Sequence, residues 1–137
     1  ELMEDILPDR SLETFHMGDF NSNAEGAEGD PTRTPAHSVV WSAGFRDLWA
    51  EAPASRGKGN SPDGTGHTCC QEADLSLPGN GLDQRIDFIF HRGPGEPDLR
   101  EIRRVGIQGS SRTRPGGLWP SDHAGLVACV AVPPAGP

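Results

Sequence analysis

The chain has 137 residues, 34% of them hydrophobic, with 18 glycines, 13 prolines and a formal net charge of −8. That length supports one domain with its own core and is too short for two; no apolar run approaches the roughly 20 residues of a membrane helix; and the Gly and Pro content, with apolar residues in short runs, describes a globular chain with long loops. Residues 1–75 carry 14 acidic against 5 basic side chains, whereas 76–137 carry 6 against 7, a balance that suits metal binding in the first half and argues against tight nonspecific binding to a polyphosphate backbone.

Residues 1–7 place apolar side chains at helical spacing and Pro8 closes them, which predicts the tail of a helix. The opening Glu1-Leu2-Met3-Glu4 has neither the basic start nor the apolar run of a signal peptide, and a start inside a helix is what the end of a longer chain would look like. Leu12 to Met17 alternate apolar and polar residues into Gly18-Asp19, the pattern of a strand ending at a loop. Asn21 to Pro35 is a long loop, and Ala36 to Ala43 a short helix running into Gly44-Phe45-Arg46-Asp47-Leu48-Trp49. Ala52 to Gly66 is a second long loop, His67 to Gln71 a short strand, and Leu77 to Asp83 a turn. Arg85 to His91 is the clearest strand, followed by another over Glu101 to Ile107, a Gly/Ser/Arg loop and a buried final strand over Gly125 to Val132. Residues 133–137 read as a disordered tail. Strands interleaved with loops and one or two helices predict an α/β fold, a mixed β-sheet with flanking helices.

Three short motifs put polar residues at strand ends, where a sheet builds a site. In Gly18-Asp19-Phe20-Asn21 the glycine allows a sharp turn. Asp19 and Asn21 point one way while Phe20 packs inward, so a carboxylate and a carboxamide face water, metal or phosphate together. The same tetrapeptide is also a plausible Asx turn. In Arg85-Ile86-Asp87-Phe88-Ile89 the carboxylate of Asp87 lies on an otherwise buried strand and needs a partner; Arg85, on the same face, is one candidate. Ser121-Asp122-His123 sets a histidine, whose pKa lies near neutrality, beside an acid and directly before an apolar strand.

Each motif is weak alone; their order and spacing are specific. Together they resemble the endonuclease/exonuclease/phosphatase superfamily, the deoxyribonuclease-I-like fold, whose domains end with a GDFN-type motif, an Arg-Ile-Asp-Tyr/Phe-Ile strand and Ser-Asp-His before the last strand. The segment Gly44 to Trp49 and Gly66-His67-Thr68 resemble the intervening pattern, so the likeness runs from Phe15 to Val132. It implies that residues 1–137 are the C-terminal half of such a domain, about half of a two-sheet sandwich, forming one sheet with an exposed apolar inner face. It implies Mg²⁺ (or Mn²⁺) as cofactor and a phosphate-ester substrate, nucleic acid among the candidates. Asp19 would orient or deprotonate the attacking water and sit by the metal, Asn21 would hold a phosphate oxygen or sit near the metal, and Asp122 would bind the cation. His123 would contact the scissile phosphate with Asp87 fixing its tautomer, while Thr68, Arg112 and Arg114 would contact substrate. The family's early Asn, its metal-binding Glu and a further His have no counterpart here. The resemblance therefore implies a phosphodiesterase, nuclease or phosphatase whose activity needs a missing N-terminal half, the fragment alone being inactive. The alternative is a noncatalytic fragment or interaction module that keeps the fold without the metal-binding Glu.

Other features carry less. Trp41 and Trp49 are expected in the core and Trp119 beside the site. Arg100, Arg103 and Arg104 read as a solvated strand face; His16 and His91 read as packing or surface residues, and His37 is uninformative. Of three cysteines, neighbours Cys69 and Cys70 would face opposite ways in a strand, so only one could reach Cys129; buried thiols are the simplest reading. The Cys-Cys pair and the Gly/Pro content lean towards an exported protein.

Overall fold

The structure is a computed structural model and describes residues 9–52 and 65–132. The helix tail expected over 1–7, the tail over 133–137 and most of the loop expected over 52–66 lie outside those residues.

A central strand organises the rest. β1 (Thr14–Asp19), a short helix α1 (Ala36–Ser42), a two-residue strand β2 (Arg46–Asp47), a single-turn helix α2 (Leu48–Glu51) and β3 (Asp87–Arg92) precede β4 (Asp98–Val105) and β5 (Gly125–Ala131). β3 lies between β1 and β2 in a three-stranded sheet, and β4 pairs with β5 in a separate two-stranded one. Every strand pairing is antiparallel among the described residues, so the mixed sheet expected from the sequence is not what forms. The described strands also make two sheets where one was expected.

Period-2 alternation explains why β3 is buried on both faces. Phe88 and Phe90 point to one side and pack with Val40 of α1, Phe45, Phe20 and Ala43. Ile89 points to the other and joins Leu48, Trp49, Leu99 and Ile102, with Phe15, Leu126, Ala128 and Val130 against them. The first sheet is thus a middle layer, with α1 and its loop on one face and the β4–β5 ribbon on the other. Leu82, Ile107 and Ala124 form a third cluster.

Two details differ from expectation for packing reasons. β5 alternates exposed and half-buried residues along its whole length and is not a buried strand. A two-stranded ribbon has one face on the core and one open, so Val127 stays 41% exposed. Between the sheets an apolar groove of about 390 Å³ remains, lined by Phe15, Met17, Ile89, Leu126 and Val130 among others. Residues 67–71 form no strand; Cys69 makes single bridges to Gln84 on one side and His123 on the other.

Among the aromatic and basic residues, Trp49 is buried as expected, but Trp41 is 47% exposed and Trp119 is buried. The indole Nε1 of Trp119 donates to the Leu77 carbonyl at 2.9 Å, so this ring holds the 75–78 loop and does not line the site. Arg104, expected on a solvated face, is fully buried and donates to the His67 carbonyl at 2.6 Å. Arg100 and Arg103 do pair at the surface, with Asp98 and Glu101.

Candidate functional site

Strand pairing brings the first two motifs together. In the β1–β3 register Asp19 is the partner of Asp87, the last residue of one strand facing the first of the other. Gly18, at φ 147°, takes a backbone conformation that side-chain-bearing residues rarely adopt. Phe20 then drops into the core against Phe88 and Phe90, with ring centroids 5.6 and 5.2 Å away. Asn21 is left-handed at φ 47°, and its backbone N–H donates to Asp19 Oδ1 at 2.8 Å. The Asx turn therefore forms, and it uses one carboxylate oxygen of Asp19.

The third motif is delivered by the 67–71 segment, which acts as a splint. Thr68 N and Cys69 N donate to the Gln84 carbonyl, Ala124 N donates to the Thr68 carbonyl, and Gln71 N donates to the Asp122 carbonyl. Residues 84–86 and 122–124 are thereby fixed on either side of one short segment. His123 lands beside β3, and its Nδ1 lies 2.9 Å from Asp87 Oδ2. Its backbone N–H is held by Ser121 Oγ at 3.1 Å. Burial disfavours the charged imidazolium, but the hydrogen bond to Asp87 and then the charges of Asp87, Asp122 and Asp19 outweigh it, raising the pKa above its ordinary 6.5.

Asn21, Asp122 and His123 line a common cleft of about 340 Å³ together with Cys69, Cys70 and Thr34. A larger concavity of about 650 Å³ lies under the 22–38 loop, lined by Ser22, Glu28, Arg33 and His37 among others. Of the two, the smaller cleft is the one that carries His123 and Asp122, whereas Asp19 and Asp87 line neither.

Other expected substrate contacts are placed differently. Thr68 is fully buried, and its Oγ1 accepts from the backbone N–H groups of Ile86 at 3.3 Å and Asp87 at 3.1 Å. It is a positioning residue for Asp87 and does not reach the cleft surface. Thr68→Ala should leave two interior donors unsatisfied and cost about 1–3 kcal/mol, with Thr68→Ser recovering most of it; equal losses in urea melts of both variants would contradict this role. Arg112 donates to the carbonyls of Gly117, Ser76 and Pro78 and lies over the Trp119 ring, so its guanidinium is committed to loop structure. Arg114 is exposed on the same loop.

Arg85 does not pair with Asp87. Its Nη1 binds Asp47 Oδ2 at 2.6 Å and its Nε binds Glu25 Oε1 at 3.0 Å. Residues 84–86 precede β3, so strand alternation does not carry Arg85 onto the face of Asp87. Asp47, fully buried, also caps α2 through the N–H groups of Trp49 and Ala50 and sits 3.2 Å from His37 Nε2. Burial raises its pKa, but His37, Arg85 and the helix N–H outweigh that, and the net direction is down. Sequence reasoning missed this network; the only hint was the charge of Asp47 inside the apolar run Phe45 to Trp49. Gly66 completes it, since a Cβ there would collide with the Trp49 indole and the Arg85 side chain. His91, left open between packing and surface, is buried against Phe15 and Glu13.

Cys69 and Cys70 are joined to each other by a disulfide, and Cys129 is a free exposed thiol on β5. The expectation of buried thiols therefore fails for the pair, which is oxidised, and for Cys129, which is exposed. The expectation that the two face opposite ways rested on strand alternation, and this segment is not a strand.

No family model matches the chain, and no curated protein matches it. Among solved structures, an endonuclease/exonuclease/phosphatase family protein from Leptotrichia buccalis C-1013-b is similar, with a TM-score of 0.57 and 21% identity over 95% of this chain and 41% of that chain. At that identity the likeness is one of fold, and this chain spans less than half of that neighbour's length.

Proposed function

We propose that this chain, which has the fold of an endonuclease/exonuclease/phosphatase family protein, supplies the aspartate–histidine side of a metal-dependent phosphate-ester hydrolase site, the remainder of the domain being needed for turnover. The observation that carries this reading is the His123–Asp87 pair with Asp19 directly across the strand pair. A histidine oriented at Nδ1 presents Nε2 outward. With three carboxylates favouring its charged form, it can donate to a phosphate oxygen as negative charge builds there. Asp19, exposed and with one oxygen uncommitted to its turn, accepts the proton of the attacking water. Asn21 offers its carboxamide to a second phosphate oxygen, and Asp87 fixes the tautomer of His123.

The donors fit a hard cation. Asp19, Asn21 and Asp122 are exposed and offer oxygen donors, and among the described residues no three carboxylates gather within ligating distance of one another. Mg²⁺ takes only one or two carboxylates and keeps water and phosphate oxygens in its remaining positions, so Asp122 and Asp19 would hold it as part of a shell. When bound it neutralises phosphate charge and helps ionise water. The full-length protein should hydrolyse a chromogenic phosphodiester with Mg²⁺ or Mn²⁺. Loss of even an outer-shell partner weakens metal sites 10–100-fold, so Asp122→Asn should raise the Mg²⁺ needed for half-maximal rate at least about tenfold. Absence of turnover at every metal concentration would overturn this reading in favour of a noncatalytic module that keeps the motifs.

A further inference from the structure

The cleft that holds His123 also holds the Cys69–Cys70 disulfide. The backbone of Cys69 bridges directly to that of His123, and a ligand atom from each of Cys69, Cys70 and His123 lies within 4.8 Å of the others. In a tetrahedral site with metal–sulfur bonds of about 2.3 Å and metal–nitrogen bonds of about 2.0 Å, donors stand roughly 3.3–3.8 Å apart; the two sulfurs, bonded to each other in the disulfide, would part to that spacing on reduction, with the imidazole already beside them. His123 already has its Nδ1 held by Asp87, the carboxylate–histidine arrangement that turns the Nε2 lone pair toward a metal. Cys70 is exposed, which gives a reductant and an ion a route in.

We infer that the reduced chain binds a thiophilic divalent cation of the Zn²⁺ type through Cys69 Sγ, Cys70 Sγ and His123 Nε2, leaving a fourth position for water. Thiolate and imidazole donors select such an ion over Mg²⁺, so this site differs in chemistry from the oxygen site beside it. It forms only after the disulfide opens. With a phosphine, the S–S bond breaks, phosphorus takes oxygen from water to become the phosphine oxide, and each sulfur leaves as a thiol. Metal binding then displaces the two thiol protons. Because the same imidazole serves the hydrolytic reading, occupancy would block hydrolysis in reduced protein and leave the disulfide form untouched. That consequence rests on the proposed function; the binding itself does not.

Cobalt(II) makes the test direct, because thiolate–cobalt charge transfer appears only when sulfur ligates. In a Cys129→Ser background, full-length protein reduced with phosphine should develop this absorbance to one Co²⁺ per chain, and Zn²⁺ should bleach it. The disulfide form should show none. Cys70→Ser, at an exposed position, and His123→Gln should each weaken binding at least about tenfold, with circular dichroism confirming folded protein. No absorbance in the reduced chain, or equal absorbance in Cys70→Ser, would overturn the site. Phosphodiester turnover of the disulfide form in Mg²⁺ is read separately, so loss of cobalt binding with turnover intact sinks only this inference, and the reverse sinks only the hydrolase reading.

Discussion

Full-length protein carrying His123→Ala should lose at least ~10²-fold in kcat on a phosphodiester, with KM changed little, since removing one preorganised donor to developing charge typically costs 10²–10³. Asp19→Ala should lose a comparable factor for a separate reason, the loss of the group that takes the water's proton. Asp87→Asn makes the more discriminating case. Asp87 touches His123 and is not assigned contact with phosphate, so an amide there keeps the shape and removes the largest favourable influence on the imidazolium. In metal-free protein, the His123 pKa followed by NMR should fall in Asp87→Asn relative to wild type. The sign follows from the raised native pKa: the charged form is stabilised by folding, an advantage present at low pH and lost as pH rises through the folded value. An unmoved His123 titration, or unchanged kcat in both His123→Ala and Asp19→Ala, would reject the assignment.

The strand ends bearing these residues were legible in the sequence because each motif combines a turn residue, an apolar alternation and a polar side chain. Thr14–Asp19 and Asp87–Arg92 fall within two residues of the spans expected, and α1 within one. What the sequence could not give was the partner of each polar group. Arg85 was matched to Asp87 by local alternation, yet its buried ion pair lies 38 residues away at Asp47. Thr68 looks like a phosphate ligand from its neighbours, but the splint around it turns its hydroxyl to the backbone N–H groups of Ile86 and Asp87. Arg104 and Trp119 look like surface and site residues, and both are turned inward onto a backbone carbonyl, that of His67 or Leu77. Periodicity reports which face a side chain takes on a regular strand; it carries nothing about irregular segments such as 66–71 or 75–82, where most of these contacts are made.

That buried network makes Arg85→Met the most destabilising change expected outside the core. The Arg85 side chain is 6% exposed and Asp47 fully buried, so removing the guanidinium leaves a carboxylate in the interior with, among the described residues, His37 and the α2 N–H groups as partners. Breaking such a pair from one side costs about 3–5 kcal/mol, a large share of a typical domain's 5–15 kcal/mol. The cost should depend on pH with a definite sign. Asp47's folded pKa is held down, so in wild type its contribution is present above the ordinary carboxylate range and lost as pH falls through the folded value. In Arg85→Met that advantage is mostly gone already, because burial now dominates and the acid form is tolerated. The difference between variant and wild type should therefore be largest near pH 7 and shrink in urea melts near pH 4, where the variant's Asp47, no longer held down, takes up a proton and its buried charge is relieved. The double change Arg85→Met with Asp47→Asn should recover part of the loss, since it removes the stranded charge while Asn still caps α2. A deficit equal at both pH values, or a double variant no better than Arg85→Met alone, would show that Arg85 stabilises the fold through its packing on Phe88 and not through Asp47.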